Sequence, residues 1–579
     1  MFKNQPKGLF VLALSNTGER FGYYTMLAIL LLFLQAKFGF STATAGFIYS
    51  TFLALVYFMP MLGGIVADKW DFKKTVTLGI VVMFLGYLVM AIPTARMETS
   101  SMIIMFAALL LISIGTGLFK GNLQVMVGDL YNDPRYSEKR DIAFSLFYMA
   151  INIGAMFAPS VTQALCSTAL SSEGFVYDAG IPGLCTKIIS DGLATLNPEN
   201  LQTLTEFISA NASQFIGNPE GFAEAYMNAI STGYSYAFMV ACGSMVVSFL
   251  IYKLGARTYS SADKKADKKD SKNAVTEIKD TLTPQQTKSR IVALLLVFAV
   301  VIFFWMVFHQ NGMTLTKYAE AFTSPSTASW TRIGFNVWAL AVIAAAVYAA
   351  FSFFQSKSAK SRVVSGIILL GCLVGIAMFY VFGKTEVSGL QPQIYQQFNP
   401  FYVVALTPFS VAIFAWLAKK RKEPSAPRKI GYGMIVAAVA FGFIALASIG
   451  LGVAPKEGQA ANLVSPNVLI LTYLFLTFAE LLLSPMGISF VSKVAPPKYK
   501  GLMMGCWFGA TAIGNYLVVI PALLWNHIDV SLLWVILVAI CLLSAGFIFA
   551  MMKKLEAATA DEPAVEVKDP IENIEDDAI

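Results

Sequence analysis

Four stretches of this chain place ionisable or strongly polar side chains in otherwise apolar surroundings: Glu19 and Arg20, Lys120, His309 and Gln310, and Glu480. Alone at the centre of a bilayer, each charge would cost about 2.5–3.5 kcal/mol on insertion scales, so such groups face a bundle interior or a water-filled path. With His309 neutral, two positive and two negative charges cancel, and pairing across a shared interior lowers the cost of burying each. The chemistry on offer is recognition of charge. Arg20 presents a bidentate fork and Lys120 a point charge to a carboxylate, and Glu480 presents a carboxylate to an ammonium.

A zwitterion, such as a free peptide, preserves that balance on entry. A proton moving with it would leave one net positive charge to cross, inward under a negative-inside potential. Each residue also has a structural reading. Glu19 and Arg20 could pin helices as an internal pair. Lys120 could snorkel from a helix end, although it sits well inside its apolar run, at Gly115 to Asn122. His309 suits a hydrogen-bonded core histidine as well as a proton relay. Tyr23, Tyr24, Tyr57 and Trp507 could be packing aromatics, and His527, at an expected membrane edge, is assigned no role.

The elements that must position these groups are membrane helices. The chain has 579 residues, 56% hydrophobic and 13% charged, against roughly 45–50% and 25% in soluble domains. Fourteen apolar runs are long enough to cross a bilayer. Six lie between 8 and 254, and eight between 289 and 554. The first is too long for a signal-peptide core and has no small-residue cleavage site, so it is expected to remain. On that helix, at 100° per residue, Asn16, Glu19, Arg20, Tyr23 and Leu27 share one stripe and can line a cavity. Pro60, Pro408 and Pro485 are expected to break their spans.

Lys and Arg collect in alternate loops, which places both termini in the cytoplasm. The net charge of +7 is thereby topological and gives no reason to expect nucleic acid. The 167 to 228 segment falls outside, with seven carboxylates and one lysine, Lys187. It reads as a small outer subdomain that a Cys166 to Cys185 disulfide could tie in an oxidising compartment. Asn211-Ala212-Ser213 matches a glycosylation sequon. The expected organisation is a six-helix bundle over 1–254, a cytoplasmic linker over 255–288, a second bundle over 289–322 and 394–556, an inserted helix pair over 330–384 and an acidic, disordered tail over 557–579. No metal-ligand spacing occurs and only two histidines are present, so no metal is expected.

Glu19-Arg20-Phe21-Gly22-Tyr23-Tyr24 resembles the first-span motif of the proton-coupled oligopeptide transporter family, within the major facilitator superfamily. Gly63 to Asp68 with Lys73 and Lys74, Phe119 to Asn122, and Phe147 to Ala155 are similar to further signatures, as are Phe304-Trp305 with Gln310, Asn399-Pro400, Glu480 with Ser484-Pro485, and Trp507. The resemblance implies an all-α fold of two six-helix bundles rocking about a central site, and di- and tripeptides imported with protons. By residue, it implies Arg20, Lys120 and Asn152 at the substrate carboxylate and Asn399 and Glu480 at its amine. Tyr23, Tyr57, Trp305, Ser484 and Trp507 would surround the side chains, and Lys120 with Glu480 would form an inner-gate ion pair.

Three positions depart from the family pattern. Asn16 stands where a glutamate is usual, Leu27 where an arginine is common, and His309 where an acid precedes the glutamine. The last two look linked, because that arginine and acid form a gate pair in relatives. Glu19, His309 and Glu480 remain as proton carriers. The helix pair over 330–384 follows the Trp305 to Gln310 helix, whereas bacterial relatives place theirs before it; a peripheral position is expected. The expected activity is therefore peptide–proton symport in a bacterial inner membrane, by a monomer, surrounded by lipid and with no cofactor but the coupling proton. The alternatives are a same-fold carrier of another small anion or peptide-like substrate and a peptide sensor that does not transport. No nucleophile elbow, paired catalytic aspartates or metal motif points to an enzyme.

Overall fold

The computed structural model describes residues 5–131, 135–136, 140–263, 282–356, 358–496 and 499–560. Fourteen of its helices are long and apolar enough to cross a membrane. The first six spans are α1 (Lys7–Phe38), α2 (Thr42–Lys69), α3 (Phe72–Ala91), α4 (Thr99–Asp129), α5 (Arg140–Ser172) and α8 (Pro219–Leu254), with α6 (Ile181–Asp191) and α7 (Pro198–Asn211) in the connection before α8. The second half comprises α9 (Pro284–Phe308) with α10 (Thr314–Phe322), α11 (Val337–Gln355), α12 (Ala359–Phe382), α13 (Phe398–Lys419), α14 (Ala426–Ala447), α15 (Asn467–Val494), α16 (Lys500–Leu517) with α17 (Val519–Leu524), and α18 (Val530–Ala550). A last helix, α19, covers Met552–Ala560.

Each half buries its own apolar cluster. In the first, α1 packs on α5 and α8 while α3 and α4 pair beside it; in the second, α14 packs on α15 and α18, and α9 on α16. The halves meet where α2 crosses α16 and α5 crosses α13. Met313, Val518 and Ala522 of the second half join the first cluster, and Met156 of the first joins the second. The arrangement is two six-helix bundles plus the α11–α12 pair, the fold class expected from the sequence.

Local chemistry explains several boundaries. Asp71 caps α3 by accepting from the Lys73 amide at 2.7 Å, and Thr283 and Gln286 form a capping box at the start of α9. Pro60 and Pro408 sit inside continuous helices, so they do not break their spans as expected; the Pro485 side chain lies outside the description. The break occurs instead at His309–Gly312, a 3₁₀ turn between α9 and α10. Glycine permits a close helix contact at α1. A Cβ at Gly154 of α5 would strike the Thr17 carbonyl of α1, and Thr17 Oγ1 donates across the same contact to the Ala150 carbonyl at 3.0 Å.

The 173–218 connection forms a helical cap with its own ring cluster, in which Phe175, Phe215 and Phe222 pack on Tyr226 and Phe207. Cys166 and Cys185 are both buried free thiols, so no disulfide ties this cap. Cys166 instead packs against Gly233 of α8. The cap docks on the second half through Lys187, whose ammonium reaches Glu457 at 3.0 Å. The inserted pair is peripheral: α11 touches α13, and α12 exposes Val363, Ile367, Leu370 and Val381, as a lipid-facing surface does. Most of the expected linker, from 264 to 281, and the expected acidic tail from 561 onward lie outside the described residues.

Gly154→Ala is expected to force α1 and α5 apart and lower the melting temperature in detergent. Gly243→Ala, whose Cβ would meet nothing within 4 Å, should leave it unchanged or slightly raised. Equal melting of both variants and the parent would overturn the close-contact account.

Candidate functional site

Between the bundles lies a cavity of about 230 Å³. Its walls bring together Arg20, Tyr23, Tyr57, Lys120, Asn152, Trp305, His309, Asn399, Glu480, Ser484 and Trp507, the wall residues expected from the sequence with the exception of Glu19. Along α1 the wall is built from Asn16, Arg20, Tyr23, Tyr24 and Leu27. Glu19, expected on the same stripe, turns away and is fully buried behind it. There its carboxylate holds the Arg20 guanidinium in a two-point contact, with Nη2 to Oε1 at 2.6 Å and Nε to Oε2 as the second bond. The pair is made within one helix and leaves Arg20 Nη1 for the cavity side.

Lys120 and Glu480 do not pair with one another in this structure, so the expected gate ion pair is not formed here. The Lys120 ammonium lies 3.9 Å above the Tyr57 ring, with no carboxylate within 4 Å among the described residues. A cation–π contact of this kind stabilises by about 0.5–2 kcal/mol and leaves the donors of Lys120 available. Glu480 accepts from Asn399 Nδ2 at 2.9 Å and from the Tyr148 hydroxyl at 3.1 Å. Asn399 is steadied in turn by Thr477 Oγ1 at 3.0 Å. The carboxylate still has lone pairs to offer.

The cavity therefore exposes an unneutralised ammonium from one half and an unneutralised carboxylate from the other. Unpartnered buried polar atoms add to this. Asn16 Nδ2, the Tyr23 hydroxyl, Trp305 Nε1 and His309 Nδ1 belong to cavity residues and have no hydrogen-bond partner. Buried polar atoms normally have one, so these are unmet hydrogen-bond demands in the cavity wall. His309 stacks on Trp305 with ring centroids 5.0 Å apart, which fixes its plane at the helix break.

Some residues have other roles than the sequence suggested. Gln310 is fully buried and structural, donating to the Met306 and Val518 carbonyls at 2.9 and 3.2 Å. Asn152 spends one amide hydrogen on the Tyr148 carbonyl of its own helix at 3.0 Å. Tyr148 was missed. It lies in the Phe147–Asn152 motif, but nothing in one sequence says that its hydroxyl reaches Glu480 across the interface. Gln396 was also missed; it joins the halves by donating to the Ala28 carbonyl and Thr316 Oγ1, both at 3.1 Å. Among the described residues no cluster of His, Cys, Asp and Glu is arranged to hold a metal.

Further polar contacts between the halves gather on the face that carries the cap. Ser160 meets Gln397 at 2.6 Å, Gln391 meets Gln163 and Ser167 at 3.1 Å, and Lys317 meets Gln35 at 3.1 Å. With Lys187 and Glu457 they join the halves on that face.

A family model described as "PTR2: POT family" matches residues 73–278 and 381–535. The gap between the two matches contains α9 to α11 and nearly all of α12. The chain is 28% identical over 529 residues to a Bacillus subtilis protein named "Uncharacterized transporter YclF", covering 88% of this chain and 85% of that one. It is 25% identical over 517 residues to "Dipeptide and tripeptide permease B" of Xenorhabdus bovienii, covering 89% and 86%, and 26% identical over 538 residues to "Peptide transporter YePEPT" of Yersinia enterocolitica, covering 89% and 87%. Among solved structures, a POT family transporter in complex with 5-aminolevulinic acid superposes with a TM-score of 0.63 at 20% identity, covering 96% of this chain and 98% of that one. That likeness concerns the fold.

Removing one member of a buried ion pair costs about 3–5 kcal/mol, whereas replacing both by neutral groups costs much less. Glu19→Gln is thus expected to lower the melting temperature, and adding Arg20→Met to recover most of the loss. A double variant no more stable than the single one would mean that the pair does not hold this part of α1.

Proposed function

This chain belongs to the POT family, and on that premise we propose that it imports di- and tripeptides by proton symport, through alternating access around the cavity between its bundles. The observation that carries the reading is the separation of Lys120 from Glu480 across the cavity, each without a counter-charge. A peptide is a zwitterion, and it meets both at once without changing the net charge of the site. Its carboxylate is received by Lys120 and Arg20 Nη1, and its ammonium by Glu480 and the Asn399 side-chain oxygen. Tyr23, Tyr57, Trp305, Ser484 and Trp507 surround the peptide side chains with mostly apolar surface, which suits a site that accepts many sequences.

Coupling to a proton follows from competition for Arg20. A substrate carboxylate that draws on the guanidinium loosens its hold on Glu19, and a proton can then occupy the released carboxylate. His309, with its free Nδ1, and Glu480 are the other groups able to carry a proton at the cavity. The two termini face the cytoplasm, because the loops rich in Lys and Arg share their side, and the face with the cap is external. The membrane is a bacterial inner membrane, in keeping with the bacterial relatives. No cofactor is required.

The direct measurement is accumulation of labelled dialanine in liposomes containing only this protein, with an inward proton gradient and the membrane potential clamped. Accumulation that collapses with an uncoupler is expected. Exchange without accumulation would preserve the peptide site and remove coupling, and no uptake would overturn the reading in favour of another anion or a sensor. For the site itself, Lys120→Gln and Glu480→Gln should each weaken dipeptide binding about tenfold or more, the effect of losing a charge-assisted hydrogen bond. A C-terminally amidated dipeptide should be insensitive to Lys120→Gln, and an N-acetylated one to Glu480→Gln. The reverse pattern would place the peptide in the opposite direction.

A further inference from the structure

A second cavity, of about 450 Å³, lies on the cap face where α11 begins and α12 ends beside α5. It shares no lining residue with the central cavity. We propose that this cavity binds the phosphate headgroup of an anionic phospholipid.

The cations come from two directions. Arg332 lines the cavity and is only 8% exposed; its Nη1 donates to the Ser329 carbonyl at 2.7 Å and its Nη2 to the Tyr380 carbonyl, while its Nε has no partner. Its guanidinium lies 4.5 Å over the Tyr380 ring and has no carboxylate partner among the described residues, so its positive charge is left for an anion at the cavity. Lys384 lines the same cavity with no ion pair among the described residues, and Ser160, Gln163, Ser167 and Asn336 supply neutral polar groups. Among the described residues no carboxylate lines it. Glu386 lies two residues beyond Lys384, exposed and outside the lining. Two cations and no acid select an anion, and a guanidinium suits phosphate geometry.

The depth of the cavity selects a lipid rather than a free anion. Trp330 stacks on Tyr380 with ring centroids 4.1 Å apart, and Trp338 lies edge-on to Phe157 while remaining 65% exposed. Trp and Tyr gather at headgroup level. Phe379 of α12 forms part of the wall, and just beside it Val381 and Phe382 are open to the surroundings, on a helix that is otherwise lipid-facing. Acyl chains can continue along that surface while the phosphate occupies the basic pocket, the arrangement by which basic pockets between spans hold lipid headgroups. Because α5 belongs to the first bundle and Arg332 to the second half, a lipid bound here bridges them on the cap face.

The test uses delipidated protein in detergent, titrated with phosphatidylglycerol or phosphatidylcholine and read by native mass spectrometry and by melting temperature. Phosphatidylglycerol should be retained and should raise the melting temperature, and phosphatidylcholine should do neither. Arg332→Gln should weaken phosphatidylglycerol binding about tenfold or more. Since Arg332 also holds two backbone carbonyls, the exposed Lys384→Gln is the second variant; it should weaken the lipid while leaving the lipid-free melting temperature unchanged. Equal lipid affinity in parent and both variants would overturn the proposal. So would inorganic phosphate stabilising the protein as fully as the lipid, which would make the site one for a soluble anion.

Discussion

The structure depends on how four charges are accommodated inside an apolar protein. Two of them, Glu19 and Arg20, are neighbours in one helix and neutralise each other by a two-point contact. The other two, Lys120 and Glu480, belong to different bundles and are kept apart, one against a tyrosine ring and the other between an amide and a hydroxyl. The first pair solves a burial problem inside one element. The second leaves a problem open: one cavity holds an electrostatic demand of both signs, which in the function proposed above is met by a molecule carrying both charges.

The surrounding scaffold keeps that demand from being satisfied by collapse. Ser160, Gln163, Gln391, Gln396 and Gln397 join the halves by neutral hydrogen bonds, whose net stabilisation is only about 0.5–1.5 kcal/mol each. Such bonds can be broken and remade without stranding a charge. The ion pair that joins the halves on this face, Lys187 to Glu457, is partly exposed, where water can replace the lost partner; Lys317 pairs with Glu320 inside α10. A face that must open repeatedly is thus held by contacts that are individually weak, while the strong Glu19–Arg20 contact lies within a single helix and need not break when the bundles move.

Span number and fold class were legible in the sequence because apolar length and loop charge are local quantities. The cavity wall was legible for a related reason: a polar residue inside an apolar span has few places to go other than an interior. Helix phase was less secure. Glu19 and Arg20 are adjacent, 100° apart, and a stripe drawn to include both could not tell that one faces the cavity and the other the interior behind it. Pro60 and Pro408 stay within unbroken helices, since neighbouring groups can satisfy the backbone positions that proline frees, whereas the real break at His309–Gly312 has no proline to announce it. The Tyr148–Glu480 bond, the Gln396 bridges and the free state of Cys166 and Cys185 depend on contacts between residues far apart in the chain, which one sequence does not contain.

The positions that depart from the family pattern take on meaning once placed. Leu27 and His309 both line the cavity, one from each half, so the arginine and acid that the resemblance implies there would have faced the same space. Exchanging both together removes a positive and a negative charge and leaves the net charge of the wall unaltered; exchanging one would have added an unpaired charge to the site and favoured a ligand of the opposite sign. With that pair gone, Lys120 and Glu480 are the cavity charges without a protein counter-charge, since Arg20 is already neutralised by Glu19. In the function proposed above, the departures leave recognition of a zwitterion to a single pair of opposite charges, and any coupled proton to the glutamates or to a histidine stacked on Trp305.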